Sequence, residues 1–481
     1  MKKTASSAVS YAVLAALAGT VLCPVTASAM SLEEALVATY TGNPQLLAAR
    51  AGQRATDEKV PQALSGWRPT VTVSGSYGRQ TIEQNTSTTT ERKIGTVPQT
   101  STFTVTQPVF NGFRTVHATD AAENTVKASR GTLVATEQAV LLAATQAYMD
   151  VLRDMSVLEL RVNNEQVLRR QLDATRDRFA VGEITRTDVS QAEARHAGAV
   201  AARAAAESTL ASTRATFARV VGVPAENLDW PAEVKTLPAT LDDTISMAEN
   251  QQPELIAAEY TARAAVDTVQ QVRGELLPTV SLQASSSKSW NASDHDSYRD
   301  VQSLVATVSV PLYESGSVYS RIREAKSTAG QRRLQVDEML LSVRAQAVQS
   351  WETLQSARAQ ISSLVSQVDS SRVALEGVQR EAQVGARTVL DVLDAEQELL
   401  DAQVSLVTAQ RNEKVAAYQL MSAVGTLTAE HLALPVETHK SAGHYDDVRG
   451  QWIGGNDEAD KDYDYASDPE KQQPVKEPEG R

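Results

Sequence analysis

Cysteine, aromatic residues and positive charge are all scarce in this chain of 481 residues. The single cysteine, Cys23, excludes a disulfide framework and any zinc site built on cysteines. The six histidines are never spaced as metal ligands are, so we expect no metal site. The sequence contains no nucleophile elbow, phosphate loop or metal-spaced cluster, so we also expect no cofactor and no enzyme. A net charge of −13 argues against nucleic acid as a partner, because phosphates demand a basic surface.

The first 29 residues have the pattern of a secretory signal peptide. Two lysines precede an apolar run over residues 12–25, and the small residues at 27–29 suit cleavage after Ala29. No run of about 18 apolar residues follows, so no transmembrane helix is expected. We therefore predict an exported protein, which could cross a membrane only as a β-barrel.

The chain repeats itself. NPQLLAAR at 43–50 matches QPELIAAE at 252–259, and VGEITRTDVSQAE at 181–193 matches VGARTVLDVLDAE at 384–396. Two further matches between these keep the same order, which indicates a duplicated subdomain and not a short solenoid repeat. The predicted organisation is a signal peptide at 1–29, a first repeat at 30–230, a linker at 231–240, a second repeat at 241–434 and a tail at 435–481.

Long helices dominate both repeats. Apolar residues recur at alternating spacings of three and four, the pattern of a coiled-coil seam, and the longest helices would extend roughly 100 Å. The predicted helices are 31–65, 114–180 and 186–222 in the first repeat, and 241–275, 317–382 and 388–424 in the second. The predicted seams are Leu141, Ala144, Tyr148, Val151, Met155, Leu158 and Val162, and Ala347, Trp351, Leu354, Arg358, Ile361, Val365, Val368, Arg372 and Leu375.

A glycine marks the turn between the last two helices of each repeat. Gly182 and Gly385 suit the left-handed position that ends a helix, which predicts helical-hairpin tips. A Thr-x-x-Asp sequence follows each glycine and predicts a capping box at the start of the next helix. These capping boxes are Thr185 with Asp188 and Thr388 with Asp391.

Four segments alternate apolar with small polar residues, as transmembrane barrel strands do. The connecting segments 80–93 and 289–300 are polar and are interpreted as loops. Two hairpins of a soluble sheet are the alternative. Four strands cannot close a membrane barrel, so spanning strands would require several copies of the chain. The predicted strands are Pro69–Arg79, Thr100–Phe110, Thr279–Lys288 and Gln302–Tyr313.

The last part of the chain changes character. Residues 441–481 contain eleven Asp or Glu and almost no aliphatic residues. Such a composition cannot bury enough apolar surface to fold, so we predict that 435–481 is an acidic disordered tail.

These motifs resemble those of the TolC family of outer-membrane channel proteins. The resemblance covers residues 31–434 and rests on the two tip segments, QPVFNGFR at 107–114, VPLYESGS at 310–317 and AVGTL at 423–427. The FNGFR form is most similar to members that work in type I protein secretion. The resemblance implies a mainly α-helical homotrimer with a coiled-coil tunnel across the periplasm and one twelve-stranded barrel in the lipid of the outer membrane, four strands per protomer. It implies a periplasmic adaptor and an inner-membrane ABC or proton-driven transporter as partners, with protein or small molecules as cargo.

The resemblance also assigns roles to residues at the tips. Asp391 and Asp394 match the acidic ring at the tunnel entrance of the family. Arg387 matches an arginine that links neighbouring tips, and Thr187 and Asp188 match its partners. We expect repulsion within such a ring to raise the pKa of some of its carboxyl groups.

Ordinary explanations exist for some of these acids. Asp188 and Asp391 lie in the first turn of predicted helices, where the helix dipole favours an acid. Asp394 has Gln191 as its counterpart, so the duplication does not explain it. Ala382 stands where the family often has Tyr, which removes one expected latch to Asp188.

Two functions remain open from the sequence. The first is a channel that exports cargo across the periplasm and the outer membrane, and the alternative is a periplasmic coiled-coil adaptor that bridges the two membranes. The strand pairs occur twice and carry little charge, and an adaptor would not need them twice. The sequence therefore favours the channel.

Overall fold

The computed structural model describes residues 30–86, 89–232 and 237–454. The predicted signal peptide and residues 455–481 of the predicted tail lie outside this part. The helices are α1 (Leu32–Gly42), α2 (Pro44–Asp57), α3 (Lys59–Leu64), α4 (Arg114–Ala180), α5 (Arg186–Val221), α6 (Leu241–Gln251), α7 (Pro253–Arg273), α8 (Ser317–Gln383), α9 (Val389–Ala423) and α10 (Gly443–Arg449). The strands are β1 (Thr70–Tyr77), β2 (Gln80–Thr86), β3 (Thr89–Thr96), β4 (Gln99–Asn111), β5 (Thr279–Trp290) and β6 (Tyr298–Ser309).

The two repeats have matching long helices. α4 and α8 each contain 67 residues, and the helices that follow them, α5 and α9, contain 36 and 35. At 1.5 Å per residue the two longest helices extend roughly 100 Å. Their predicted ends are confirmed to within one residue. Within the described residues, none of the helices is both long and apolar enough to cross a membrane.

The first helix of each repeat is broken, contrary to the prediction. Pro44 and Pro253 each begin a new helix, because proline lacks an N–H and suits the first helical turn. Asn43 caps α2 by accepting hydrogen bonds from the N–H groups of Gln45 and Leu46. The predicted helix 31–65 is therefore α1, α2 and α3, and 241–275 contains α6 and α7.

A single antiparallel sheet joins the two repeats. Its strand order is β1-β4-β5-β6, so the last strand of the first repeat pairs with the first strand of the second. Val71 pairs with Val105, Val105 with Ala284, and Ala284 with Leu304. The four predicted strands are thus confirmed as one sheet, although β6 ends at Ser309 and not at Tyr313. Pro311 follows and cannot donate a ladder hydrogen bond.

The connecting segments were wrongly predicted as loops throughout. Residues 80–86 and 89–96 pair with each other as the separate hairpin β2–β3. In the second repeat, β5 and β6 extend into the segment 289–300, leaving a shorter turn. Both strands are rich in polar residues, so composition alone does not distinguish this hairpin from a loop.

The two faces of the four-stranded sheet differ in chemistry. Hydroxyl groups meet on one face, where Ser285 Oγ lies 2.8 Å from Ser303 Oγ and Thr102 Oγ1 lies 3.1 Å from Ser287 Oγ. Because side chains alternate along a strand, the register places most of the apolar residues together on the opposite face, whereas Val301 and Val305 share the face of Ser303. This apolar face carries Val71, Val73, Phe103, Val105, Leu282, Ala284, Leu304 and Ala306.

The coiled-coil seam of α4 is confirmed in its N-terminal half, where Leu141, Ala144, Tyr148 and Val151 are fully buried. Along α8 the prediction is wrong at Arg358, Val365 and Arg372, which are exposed. Ala357 and Ser371 are buried, whereas the neighbouring Arg358 and Arg372 are exposed. Small side chains let the helices approach closely, and the arginines keep their charges in water. Arg358 instead lies 3.8 Å from Glu413 on α9.

The largest apolar cluster surrounds the middle of α4, and Tyr148 lies at its centre. The Tyr148 hydroxyl lies 2.7 Å from the carbonyl oxygen of Met30 and 2.6 Å from that of Asp229, so it ties both ends of the first repeat to α4. Burial raises the pKa of Tyr148 to about 12 and keeps the phenol neutral.

The predicted disorder from residue 435 is wrong for the segment that reaches residue 454. Residues 441–454, here called the C-terminal strap, include α10 and pack against α2 and α3. Val448 is buried, and Tyr445 packs on a small cluster formed by Val60, Ala122 and Val126. These two apolar residues were hidden by the acidic average composition of the segment.

Candidate functional site at the helical tips

Each helical hairpin turns at a left-handed glycine. Gly182 has φ of 84° and Gly385 has φ of 81°, a region in which a side chain is strained. The residues that follow close the turn: the N–H of Glu183 donates to Arg178 O at 3.0 Å, and the N–H of Ala386 to Glu381 O at 2.9 Å. The predicted turn glycines are therefore found at both tips.

Both predicted capping boxes are present. Asp391 Oδ2 accepts hydrogen bonds from the N–H and the hydroxyl of Thr388, at 2.9 and 2.8 Å. Asp188 Oδ2 does the same with Thr185, at 2.9 and 2.7 Å. These donors favour the charged carboxylates and hold the pKa values of Asp188 and Asp391 below the ordinary value.

Local contacts therefore act on Asp391 in the direction opposite to the expected ring repulsion. The backbone N–H of Thr388 is the largest cause of its lowered pKa, followed by the Thr388 hydroxyl. Within one protomer, Asp391 is a helix-capping acid that stays ionised.

Asp394 lies one turn further along α9 and is exposed. Its Oδ1 accepts a hydrogen bond from Arg195 Nη2 of α5 at 2.6 Å, which joins the first repeat to the second. Beneath this ion pair, Leu168, Ala199, Val389 and Leu393 form a small apolar cluster from both repeats. Arg195 could not be predicted from the sequence, because residues far apart in the chain give no local pattern.

Arg387 does not contact Thr187 or Asp188 within the protomer. Its Nε donates to Glu381 Oε2 at 2.8 Å, and this carboxylate raises the pKa of the guanidinium further. Thr187 is exposed, and Asp188 is occupied by its own capping box. The tips therefore present Arg387 and Thr187 on their surface, without bringing them together.

The two tips differ at one pair of corresponding positions. Arg176 Nη2 lies 2.6 Å from Glu193 Oε1 in the first repeat, whereas Gln379 Nε2 donates to Glu396 Oε1 at 3.1 Å in the second. Burial raises the pKa of Glu396, and the hydrogen bond from Gln379 and the charge of Arg170 offset this effect only in part. The duplicated frame could have identified this pair, since both residues are shifted by the same 203 positions.

Comparison with known proteins decides the family. A family model described as outer membrane efflux protein matches residues 36–223 and 244–426, which lie within the two repeats. The chain belongs to the outer membrane efflux protein family. The resemblance to the TolC family seen in the sequence is thereby confirmed, and the protein is placed in the outer membrane of a Gram-negative bacterium.

Members of this family are similar over nearly the whole chain. The outer membrane efflux protein BepC of Brucella suis is 36% identical over 453 residues, which cover 94% of this chain and 97% of BepC. The outer membrane protein TolC of Vibrio cholerae is 26% identical over 399 residues, covering 81% of this chain and 89% of TolC. The proteases secretion protein PrtF of Dickeya chrysanthemi is 25% identical over 423 residues, covering 84% of this chain and 90% of PrtF.

A solved structure has the same fold. The outer membrane protein VceC of Vibrio cholerae superposes with a TM-score of 0.73 at 21% identity, covering 82% of this chain and 96% of VceC. Family membership and this fold decide against the periplasmic adaptor. The chain is an outer-membrane efflux protein with the fold of a channel protomer and no indicated catalytic activity.

Proposed function

We propose that three copies of this outer membrane efflux protein form one conduit, with a twelve-stranded barrel in the outer membrane and a helical tunnel in the periplasm. The observation that carries the proposal is the open sheet. Within the described residues, β1 pairs only with β4 and β6 pairs only with β5, so both outer edges are free. An open edge with an apolar face is not tolerated in lipid, and pairing with other copies removes it.

The sheet has the two faces that such a barrel needs. The apolar face would contact lipid, while the Ser and Thr hydroxyls would line a water-filled interior. Leu304 is an example of a residue on the apolar face, and its side chain is 70% exposed in the protomer. That surface is costly in water and requires either lipid or another chain.

The test is the mass of the purified protein in detergent. We expect a particle of three chains that also conducts ions in planar bilayers. A stable folded monomer inserted in membranes would contradict the proposal. Leu304→Asp places a charge on the lipid face and should abolish insertion, whereas Ser303→Asp on the hydroxyl face should insert and alter ion selectivity.

The tips are proposed to form the entrance of the tunnel. Three copies of Asp391 and Asp394 would surround one axis, and clustered acids attract cations. Arg387, Thr187 and Asp188 are proposed to link neighbouring tips; the exposure of Arg387 and Thr187 supports this. Replacing both Asp391 and Asp394 with Asn should lower cation selectivity and weaken block by multivalent cations. If cation selectivity is unchanged, Asp391 and Asp394 do not form a cation-attracting ring and have only a structural role at the tips.

The proposed contact of Arg387 with a neighbouring protomer can be tested separately from its contact with Glu381 in its own hairpin. Arg387→Ser should loosen the tips and raise conductance. Glu381→Gln is the matched control, because it removes the contact within the protomer and leaves Arg387 free to reach a neighbour. If both variants raise conductance equally, Arg387 acts through Glu381 and not between protomers.

We further propose that the conduit works with a periplasmic adaptor and an inner-membrane ABC or proton-driven transporter. The name of PrtF refers to protease secretion and that of BepC to efflux, so protein and small molecules are both candidate cargo. Deleting the gene and comparing the secreted proteins with the susceptibility to toxic compounds would distinguish them. Loss of secreted protein with unchanged susceptibility would identify type I secretion, and the reverse result would identify efflux.

A further inference from the structure

The C-terminal strap is attached at many points but ends on two exposed apolar residues. Trp452 is 65% exposed and Ile453 is 92% exposed. Exposed apolar area is unfavourable in water, so two adjacent large apolar side chains on the surface indicate a contact with lipid or with another chain.

The polar contacts of the strap fix its path along the helices. Gln53 Nε2 donates to the carbonyl oxygen of Ser441 at 3.0 Å. His444 Nδ1 lies 3.3 Å from Asp57 Oδ2, an oxygen of a fully buried carboxyl group. These contacts tie the start of the strap to α2.

Further contacts hold the strap along α4. Arg449 Nη2 donates to Glu123 Oε1 at 2.8 Å, and Val448 beside it is buried. The Tyr445 ring lies between the guanidinium groups of Arg130 and Arg449, at 5.2 and 5.9 Å. The strap is therefore held in place from Ser441 to Arg449.

The end of the strap lies where the helices meet the sheet. Arg68 Nη1 donates to the carbonyl oxygen of Gln451 at 2.7 Å, and its guanidinium stands 5.0 Å from the centre of the Trp452 ring. Arg68 lies two residues before β1, and Gln107 Nε2 of β4 donates to the carbonyl oxygen of Trp67 at 2.8 Å. Trp452 and Ile453 are thus carried to the boundary between sheet and helices.

Other exposed apolar side chains occur at the same boundary, close to strand ends. They are Phe113, Leu277, Leu312 and Tyr313. Trp452 and Ile453 extend this group, although they come from the far end of the chain. The group lies at the end of the strands whose apolar face is proposed to contact lipid.

We propose that the strap anchors the protein to the headgroup region of the inner leaflet of the outer membrane, with Trp452 and Ile453 inserted in the lipid and Arg68 at the phosphate level. This inference rests on the proposed barrel, because it requires the sheet to span the membrane. Trp and Arg are enriched at membrane interfaces, since an apolar ring and a charged group find suitable surroundings there together. The hydroxyl-lined interior offers no comparable partner for an exposed Trp–Ile pair.

The only cysteine is Cys23, in the predicted signal peptide, so single cysteines can be introduced and labelled with a fluorophore. Ile453→Cys tests the strap. Leu304→Cys, on the apolar face of the sheet, tests the membrane span, and Val373→Cys, 70% exposed along α8, is the control for water. Each labelled protein is reconstituted in phospholipid vesicles that carry a nitroxide either at the headgroup or deep in the acyl chain.

We expect the headgroup nitroxide to quench the label at 453 strongly, the deep nitroxide to quench the label at 304, and neither to quench the label at 373. If 304 is quenched while 453 behaves like 373, the strap does not contact lipid and the inference is wrong. In that case residue 453 faces water, a neighbouring copy or another protein. If 304 itself is not quenched, the proposed barrel fails and the inference fails with it.

Discussion

Arg195 on α5 donates a hydrogen bond to Asp394 on α9 across 2.6 Å and so joins the two hairpin tips of one protomer. Both side chains are about half exposed, and such pairs contribute only about 0–1 kcal/mol to stability. The pair therefore matters more for the charge at the proposed entrance than for the stability of the tip. The negative charge of Asp394, one of the two proposed gate acids, is therefore partly offset by the positive charge of Arg195 in the same protomer.

We predict that Arg195→Ala strengthens cation block of the channel and that Asp394→Asn weakens it. The first change removes a positive charge beside Asp394, and the second removes the acid itself. The double variant should resemble Asp394→Asn, because Arg195 acts through that carboxylate. Block by a multivalent cation in planar bilayers measures all three. Arg203→Ala is the control, since Arg203 pairs with Glu165 and Glu207 away from the tip; an equal effect there would refute a local role.

Gly385→Ala should strain the second tip by about 1–2 kcal/mol, because an L-residue is disfavoured at φ of 81°. No atom lies within 4 Å of the added methyl group, so the strain comes from the backbone alone. Amide hydrogen exchange of residues 381–388 should become faster, with little change elsewhere. Gly377→Ala, in the regular part of α8, should instead stabilise its helix by about 0.5–1 kcal/mol. Equal exchange in both variants would contradict the assigned role of Gly385.

Thr388→Val should remove the two hydrogen bonds of the Thr388 hydroxyl, which donates to Asp391 Oδ2 and accepts from the N–H of Asp391, and should cost about 1 kcal/mol at the start of α9. The loss should also bring the pKa of Asp391 closer to the ordinary value, because the Thr388 hydroxyl helps to lower it. Cation block at the tip should therefore disappear at a higher pH in the variant than in the unchanged protein. Thr185→Val is the matched variant in the first repeat and should leave the pH dependence of block in place.

The direction of the pH effect on stability follows from the lowered pKa of Asp391. Its stabilising contribution is present above the unfolded-state pKa, near 3.9, and is lost as the pH falls through the lower folded-state value. The tip should thus keep its capping box from neutral pH down to about pH 4. Hydrogen exchange at residues 388–392 that accelerates already between pH 7 and 5 would contradict this.

Truncation after Lys440 should lower the thermal stability of the assembled protein, because it removes the strap and uncovers Val60, Ala122 and Val126. Val448→Ala, which removes two buried methyl groups, should cost roughly 1–3 kcal/mol. Truncation after Gly454 is the control; it deletes a mainly polar segment and should leave the melting temperature unchanged. If both truncations behave alike, the strap contributes nothing to folding.

Local patterns were enough to predict much of this protein. The capping boxes, the turn glycines and the ends of the long helices depend on residues within a few positions of one another. The alternation in the four strands likewise needs no distant partner. The duplication and the family motifs then indicated the channel fold, since they preserve the order of these local elements.

Only the tertiary structure decided which residues meet. Arg195 and Asp394 lie 199 positions apart in the chain, and the ion pair forms because two antiparallel hairpins pack side by side. Periodicity could not choose between Ala357 and Arg358, because one step along a helix still fits the averaged spacing; the cost of burying a charge makes the choice. The strap was missed for a similar reason. Its acidic composition predicts disorder, yet the segment is ordered because Tyr445 packs on an apolar surface of α3 and α4 and Val448 is buried.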